Sequence, residues 1–163
     1  MTTEQWRSRV AGLDDSDHVA RLLHDFNTEF EAPSPGPATL AERLRALLAG
    51  DDTFAVLVGE PAVGVGLVTT RPNVWYEGPV ALLDELYVEP DERGKGAGSA
   101  LLDLVVETCR QRGIDLVEIN VDEGDVDAQR FYSRHGFSWS EAGSDERAFY
   151  FHMELTRGPE THG

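Results

Sequence analysis

Residues Leu86-Tyr-Val-Glu-Pro-Asp-Glu-Arg-Gly-Lys-Gly-Ala-Gly-Ser-Ala-Leu-Leu102 decide how this chain is read. Upstream, Val80 to Val88 is apolar on both faces except for Asp84 and Glu85, the pattern of a strand inside a sheet. Downstream, Leu101, Leu102, Val105 and Cys109 recur at helical spacing, and Gly113 follows the helix end. Between them lies Arg93-Gly-Lys-Gly-Ala-Gly98. The order is strand, tight glycine loop, helix. A helix start offers unpaired N–H groups and the positive end of the helix dipole, which suits an anionic oxygen. Glycines let such an oxygen approach the backbone, and Lys95 adds a full charge. A purely structural helix entry has no need of three glycines in five residues, because each costs conformational entropy. A Walker loop would need Gly-Lys-Ser/Thr after a longer spacer. A dinucleotide fingerprint would need a third glycine where Ser99 stands.

Working outward, Trp6, Ser8 and Val10 alternate with arginines as a short strand. Asp14 to Asp17 supplies capping groups for a helix carrying Val19, Leu22, Leu23 and Phe26. Pro33, Pro35, Gly36 and Pro37 make a loop. Thr39 with Glu42 fits a capping box, and Leu40, Leu44, Leu47 and Leu48 define a second helix ended by Gly50. Phe54 to Val58 and Ala62 to Thr70 form a hairpin around Gly59-Glu60-Pro61, and Gly64 and Gly66 leave one face of the second strand bare. Leu116 to Val121 is a strand, Ala128 to Arg134 a helix closed by Gly136, and Phe137–Glu141 and Ala148–Leu155 two last strands. Residues 1–155 are expected to form one α/β domain, and Thr156–Gly163 a disordered tail.

The chain has 163 residues, enough to bury a core without staples. Thirty acidic against fourteen basic side chains give a net charge of −16. Such a surface repels nucleic-acid backbones and anionic membranes and favours cationic partners, though high charge also simply keeps a protein soluble. One cysteine, Cys109, excludes an intrachain disulfide, and the five histidines lack metal-ligand spacing, so no metal is expected. The start has no apolar signal region and no run suits a bilayer, so a cytoplasmic location is expected. Thirteen of the basic residues are arginine, and the only lysine is Lys95.

The loop resembles the pyrophosphate signature of the GNAT superfamily of acyl-CoA-dependent N-acyltransferases, Arg/Gln-x-x-Gly-x-Gly/Ala, through Arg93, Gly96 and Gly98. Asp125-Val-Asp-Ala-Gln-Arg-Phe-Tyr-Ser-Arg-His-Gly-Phe137 resembles the family's second signature, Asn-x-x-Ala-x-x-Phe/Tyr-Tyr then Gly-Phe, in the right order. The resemblance implies the acyl-CoA N-acyltransferase fold, a mixed, mostly antiparallel sheet of about seven strands flanked by four helices. It implies acetyl-CoA as donor and a primary amine as acceptor, either a small cationic metabolite of aminoglycoside or polyamine type or a protein amine. A homodimer is a further family expectation. A non-catalytic CoA-binding sensor of the same fold, or another acyl donor such as succinyl-CoA, stays open.

Carried over residue by residue, Leu86, Tyr87 and Val88 would lie along the pantetheine arm, with the Val88 N–H on the thioester oxygen. Arg93, Gly94, Lys95, Gly96, Ala97, Gly98 and Ser99 would hold the pyrophosphate. Tyr132 matches the tyrosine that protonates the departing thiolate. Asp125 stands where many members have an asparagine on the pantetheine, and an ionised carboxylate can only accept. Asp84 and Glu85 are the candidate general bases. Strand alternation would point them to opposite faces, with Glu85 toward the cleft. Asn120 cannot be a base but could orient a water. Phe26, Phe30, Trp75 and Tyr76, with nearby glutamates, suit a cationic acceptor, and equally suit core packing. Lys95 beside Arg93, with Arg130 and Arg134, would make a positive cofactor mouth in an acidic surface.

Overall fold

The computed structural model describes residues 6–140 and 143–155. They fall into two compact units, Met1–Ile119 and Asn120–Gly163. The first holds β1 (Ser8–Val10), α1 (Ser16–Glu29), α2 (Pro37–Ala49), β2 (Thr53–Val58), β3 (Gly64–Arg71), β4 (Val80–Val88), α3 (Ala97–Gln111) and β5 (Leu116–Ile119). The second holds α4 (Val126–Arg134). The strands form one sheet in the order β1-β2-β3-β4-β5. The first three pairings are antiparallel and β4–β5 is parallel.

Each face of the sheet carries helices. Val19, Leu22 and Leu23 of α1 and Ala41 and Leu44 of α2 pack with Ala55, Leu57, Val65 and Tyr87 of the strands. The opposite face receives α3, and the two bare positions in β3 make room for it. A Cβ at Gly64 would stand 2.9 Å from Val58 Cγ1 and 3.1 Å from Leu101 Cδ1; at Gly66 it would stand 2.9 Å from Val56 Cγ2. Leu101, Leu102 and Val105 of α3 are consequently almost wholly buried. Burying each such side chain stabilises the fold by roughly 1.5–3 kcal/mol.

Three local expectations change. The second helix does not begin with the Thr39–Glu42 box. It begins three residues earlier, with Gly36 as N-cap and Pro37 in the first turn. Proline is pre-set for that position because its missing N–H would be unpaired there anyway. The Asp15 side chain does not cap α1. Its oxygens accept from Arg9 at 2.5 and 2.7 Å and from the Gly12 N–H at 2.8 Å. The sheet has five strands among the described residues, against about seven expected.

Residues 137–140 and 148–155 carry no strand. Phe149, Phe151, Met153 and Leu155 do alternate with Tyr150, His152 and Glu154, but the four apolar side chains are 73–90% exposed. Alternation states a preference; a strand also requires a ladder partner for its N–H and C=O groups. Glu141 and the expected tail Thr156–Gly163 lie outside the described residues.

The close approach of α3 yields a stability prediction. Gly66→Ala should destabilise by ~1–3 kcal/mol, because Val56 is β-branched and cannot swing away. Gly124→Ala, where a Cβ meets nothing within 4 Å, should cost far less. Urea unfolding monitored by circular dichroism measures both. Equal midpoints would mean that the α3 contact does not constrain the sheet.

Candidate active site

The carboxylate pair comes from a break in the β3–β4 ladder. Leu67 faces Glu85 and Val68 faces Leu83, so Asp84 is an extra, unmatched residue, a β-bulge. The bulge changes the side-chain alternation. Tyr87 and Glu85 share a face with Val65 and Leu67, the side packed by α1 and α2. Thr69 belongs to that same face by alternation along β3, and its hydroxyl donates to Asp84 Oδ2 at 2.7 Å. Asp84 therefore stands on the same side as Glu85. The expectation of opposite faces is corrected, because strict alternation fails at a bulge. The two differ in environment. Asp84 is exposed and Glu85 is half-buried. Burial, reinforced by the neighbouring Asp84 charge, pushes the Glu85 carboxyl up from its ordinary value.

The same strand opens an edge. The parallel pairing with β5 covers only Val80 to Leu83. From Asp84 to Val88 the second side of β4 has no ladder partner among the described residues. Leu86 and Val88 thus sit on a stretch of backbone able to pair with an extended ligand.

The glycine loop continues from this edge. Pro90–Glu92 makes a single 3-10 turn, and α3 starts at Ala97. Gly94 has φ +75° and Gly96 φ +91°, left-handed values that a side chain would strain. Gly96 is the N-cap, and no side chain occupies the cap. Ala97, Gly98 and Ser99 then form the first turn, at the positive end of the helix dipole. The Trp6 indole Nε1–H donates to the Lys95 carbonyl at 2.8 Å.

Of the cations expected at the positive mouth, the two in the loop are paired, and Arg130 and Arg134 lie on α4 in the second unit. Lys95 Nζ lies 3.3 Å from Glu92 Oε2. Arg93 Nη2 donates to both Glu29 carboxylate oxygens at 2.8 Å, and its Nε donates to the Val88 carbonyl at 2.9 Å. Its guanidinium carbon stands 5.6 Å from the Tyr87 ring centroid. In an acidic chain, carboxylates reach the few cations first. Glu29, one of the glutamates expected on the acceptor side, is thereby tied to the loop, and its pairing with Arg93 is a tertiary contact that its position on α1 gave no means of foreseeing. Trp6 was legible only as a strand residue.

Of the expected acceptor residues, Phe26 stacks on Tyr87 at 5.1 Å and contacts Phe30 at 5.3 Å. Trp75 and Tyr76 stand exposed on the β3–β4 connection, where the Asn73 side-chain oxygen accepts both of their N–H groups at 2.8 Å. Asn120 is exposed and opens the second unit.

In that unit, Asp125 has a structural task. It is the N-cap of α4, and its Oδ1 accepts from Ala128 N–H at 3.0 Å. Tyr132 is buried, edge-on to Phe131 at 5.1 Å and to Phe137 at 5.6 Å. Burial, with a smaller contribution from the Asp125 charge, pushes its phenol well above the ordinary tyrosine value. The hydroxyl therefore stays protonated across the physiological range and can act as a donor.

Among the described residues no cluster of three or more His, Cys, Asp or Glu is placed to hold a metal ion. No helix there is long and apolar enough to cross a membrane.

Known proteins share this fold. A crystal structure from Arthrobacter sp. FB24, assigned to the acetyltransferases, superposes with a TM-score of 0.86 at 52% identity, covering 91% of this chain and 96% of that one. The thialysine N-epsilon-acetyltransferase of Bos taurus is 28% identical over 140 residues, 78% of this chain and 81% of that protein. The mycothiol acetyltransferase of Beutenbergia cavernae is 35% identical over 69 residues, 40% of this chain. Matches to that protein and to similar curated relatives span only about a quarter of their length. The model of the acetyltransferase (GNAT) family matches residues 19–137, which contain most of α1, the bulged strand, the glycine loop and α4. With both signatures inside that match and the fold shared with a chain of 52% identity, this protein belongs to the GNAT acetyltransferase family.

Proposed function

We propose that the protein is an acetyl-CoA-dependent N-acetyltransferase that moves the acetyl group directly from the thioester to a primary amine. One observation carries the reading: the open side of β4 runs straight into a glycine loop and the N-terminus of α3, where no side chain caps the helix. An extended arm ending in a pyrophosphate matches that sequence of features, an added strand followed by an anion seat. Residues Gly94 to Ser99 take the pyrophosphate, and the backbone of Leu86 and Val88 takes the pantetheine.

The amine nitrogen attacks the thioester carbon, forming the N–C bond as the C–S electron pair leaves with sulfur. The Val88 N–H stabilises charge on the carbonyl oxygen. Glu85 accepts the proton that the amine must lose, directly or through one water. Its raised pKa makes it a better base than an ordinary glutamate. Tyr132 gives its proton to the departing thiolate. The products are an amide and free CoA.

For the acceptor, a cationic amine fits the net charge of −16 and the carboxylates on the α1–α2 side of the sheet. The relative that acts on thialysine supports a flexible, side-chain-like amine. The family's wider acceptor classes, small cationic metabolites and protein amines, define the panel to test.

Tyr132→Phe should retain CoA binding and lower kcat by ~10²–10⁴, the usual worth of general acid help. Thioester consumption against the amine panel, alongside calorimetric CoA titration, measures this. Unchanged turnover removes the acid role. Tight CoA binding with no acyl transfer by the wild type to any amine would instead favour a sensor.

Glu85→Gln should lower kcat/KM and abolish the acidic limb of its pH profile, which in the wild type lies above the ordinary glutamate range of ~4.3. Stability should respond in the opposite direction. The Glu85 pKa is higher folded than unfolded, so its contribution is most favourable below the unfolded value and declines as pH rises through the folded one. The glutamine variant should therefore melt at or above the wild-type temperature at neutral pH, with the difference shrinking below pH ~4. A variant that melts lower at neutral pH would show that the ionised carboxylate is structurally paired.

A further inference from the structure

Trp6 stands two residues ahead of β1, at the far end of the sequence from the loop it touches. The sheet fixes its position. The Arg7 carbonyl accepts from the Gly59 N–H at 2.9 Å, and Ser8 pairs with Val58. From there the half-buried indole reaches across 89 residues of sequence to the Lys95 carbonyl, donating at 2.8 Å.

The Lys95 carbonyl belongs to the peptide unit that also carries the Gly96 N–H. In a trans peptide the C=O and N–H of one unit point to opposite sides. A donor that grips the Lys95 oxygen on one side therefore sets the Gly96 N–H to the other. That setting does not enforce itself. Lys95 lies between Gly94 at φ +75° and Gly96 at φ +91°. Turning over the Lys95–Gly96 unit rotates ψ of Lys95 and φ of Gly96, and glycine visits both signs of φ at similar cost, so the unit can turn over. Turned over, it would aim a carbonyl oxygen where an anion should sit and withdraw an N–H.

We propose that Trp6 is a positioning residue for the donor's pyrophosphate: its indole N–H holds the Lys95–Gly96 peptide in the one orientation that presents the Gly96 N–H to the anion. The inference rests on the function proposed above. It names a residue outside both family signatures, and it explains why a loop with two left-handed glycines is not left loose. The paired state of Lys95 and Arg93 gives the backbone a larger share in anion binding.

Trp6→Phe keeps an aromatic ring of similar bulk and deletes the donor. The expected result is a weakening of CoA binding by about 3- to 10-fold, the scale of one lost hydrogen bond, read by calorimetry. KM for acetyl-CoA should rise in parallel, while kcat at saturating donor stays within about twofold, as expected for loss of uniform binding. A ¹H–¹⁵N spectrum of the same sample shows whether changes are confined to β1 and the loop. Equal CoA affinity in wild type and variant, with the wild type binding CoA, overturns the role of Trp6 and leaves the proposed function standing. A fall in kcat with KM unchanged also overturns it. A wild type that binds no CoA overturns the proposed function and this inference together. The wild type carries a second test that does not depend on the variant folding. Inorganic pyrophosphate should shift the Gly96 amide resonance while the Trp6 indole N–H stays protected from exchange. A Gly96 amide that does not respond, or an indole that exchanges freely, overturns the proposal.

Discussion

The close seat of α3 on β3 is the constraint from which the donor side of the site follows. Gly64 and Gly66 remove two side chains from the face of the sheet that meets Leu101 and Val105. That absence fixes the height of α3 above the sheet, and hence where its first turn begins. A helix start at Ala97 requires the chain leaving Val88 to rise and reverse within a few residues. Only a backbone that accepts left-handed angles makes that turn, which is why glycines stand at 94 and 96. What the loop offers is then a consequence of geometry. It delivers the first turn of α3, the positive end of a helix dipole, at the end of the open strand.

A single extra residue arranges the acceptor side. Without the bulge at Asp84, strand alternation would send one carboxylate to each face of the sheet. With it, Asp84 and Glu85 share a face, and the Thr69 hydroxyl holds Asp84 in place. The consequences for the two groups diverge. Asp84 keeps solvent and a hydrogen bond, while Glu85 is half-buried beside a like charge and has its pKa raised. Two carboxylates separated in this way in environment are suited to different tasks, one polar and structural, one basic. The bulge also falls where β5 stops pairing with β4, so the strand changes its twist, its face and its partner within a short stretch.

Electrostatics in this chain run on scarcity. With 14 basic side chains against 30 acidic ones, cations near the site are drawn into pairs: Arg93 with Glu29, Lys95 with Glu92. These pairs are partly exposed and individually worth little to stability. Their effect is on potential, because they remove bare positive charge from the loop and leave backbone dipoles in its place. Such dipoles are fixed in direction and need not be recruited when an anion arrives, provided that the peptide carrying them is held.

Much of this was readable in the chain itself, for local reasons. Helical spacing located α1, α2 and α3, since periodicity of burial is written directly into residue type. The glycine loop and the Asp125–Phe137 segment marked the family, because special backbone angles and a buried tyrosine impose residue types that survive as motifs. The alternation of Phe149 to Leu155 misled, because a strand also needs a partner and sequence alternation cannot supply one. What tertiary structure alone decided was relation: that Asp84 is the extra residue in a register, that Glu29 captures Arg93, and that Trp6 meets Lys95. Each depends on residues separated by a turn of register or by tens of positions in the chain. Sequence specifies the residues one at a time, and only packing brings such pairs within hydrogen-bonding distance.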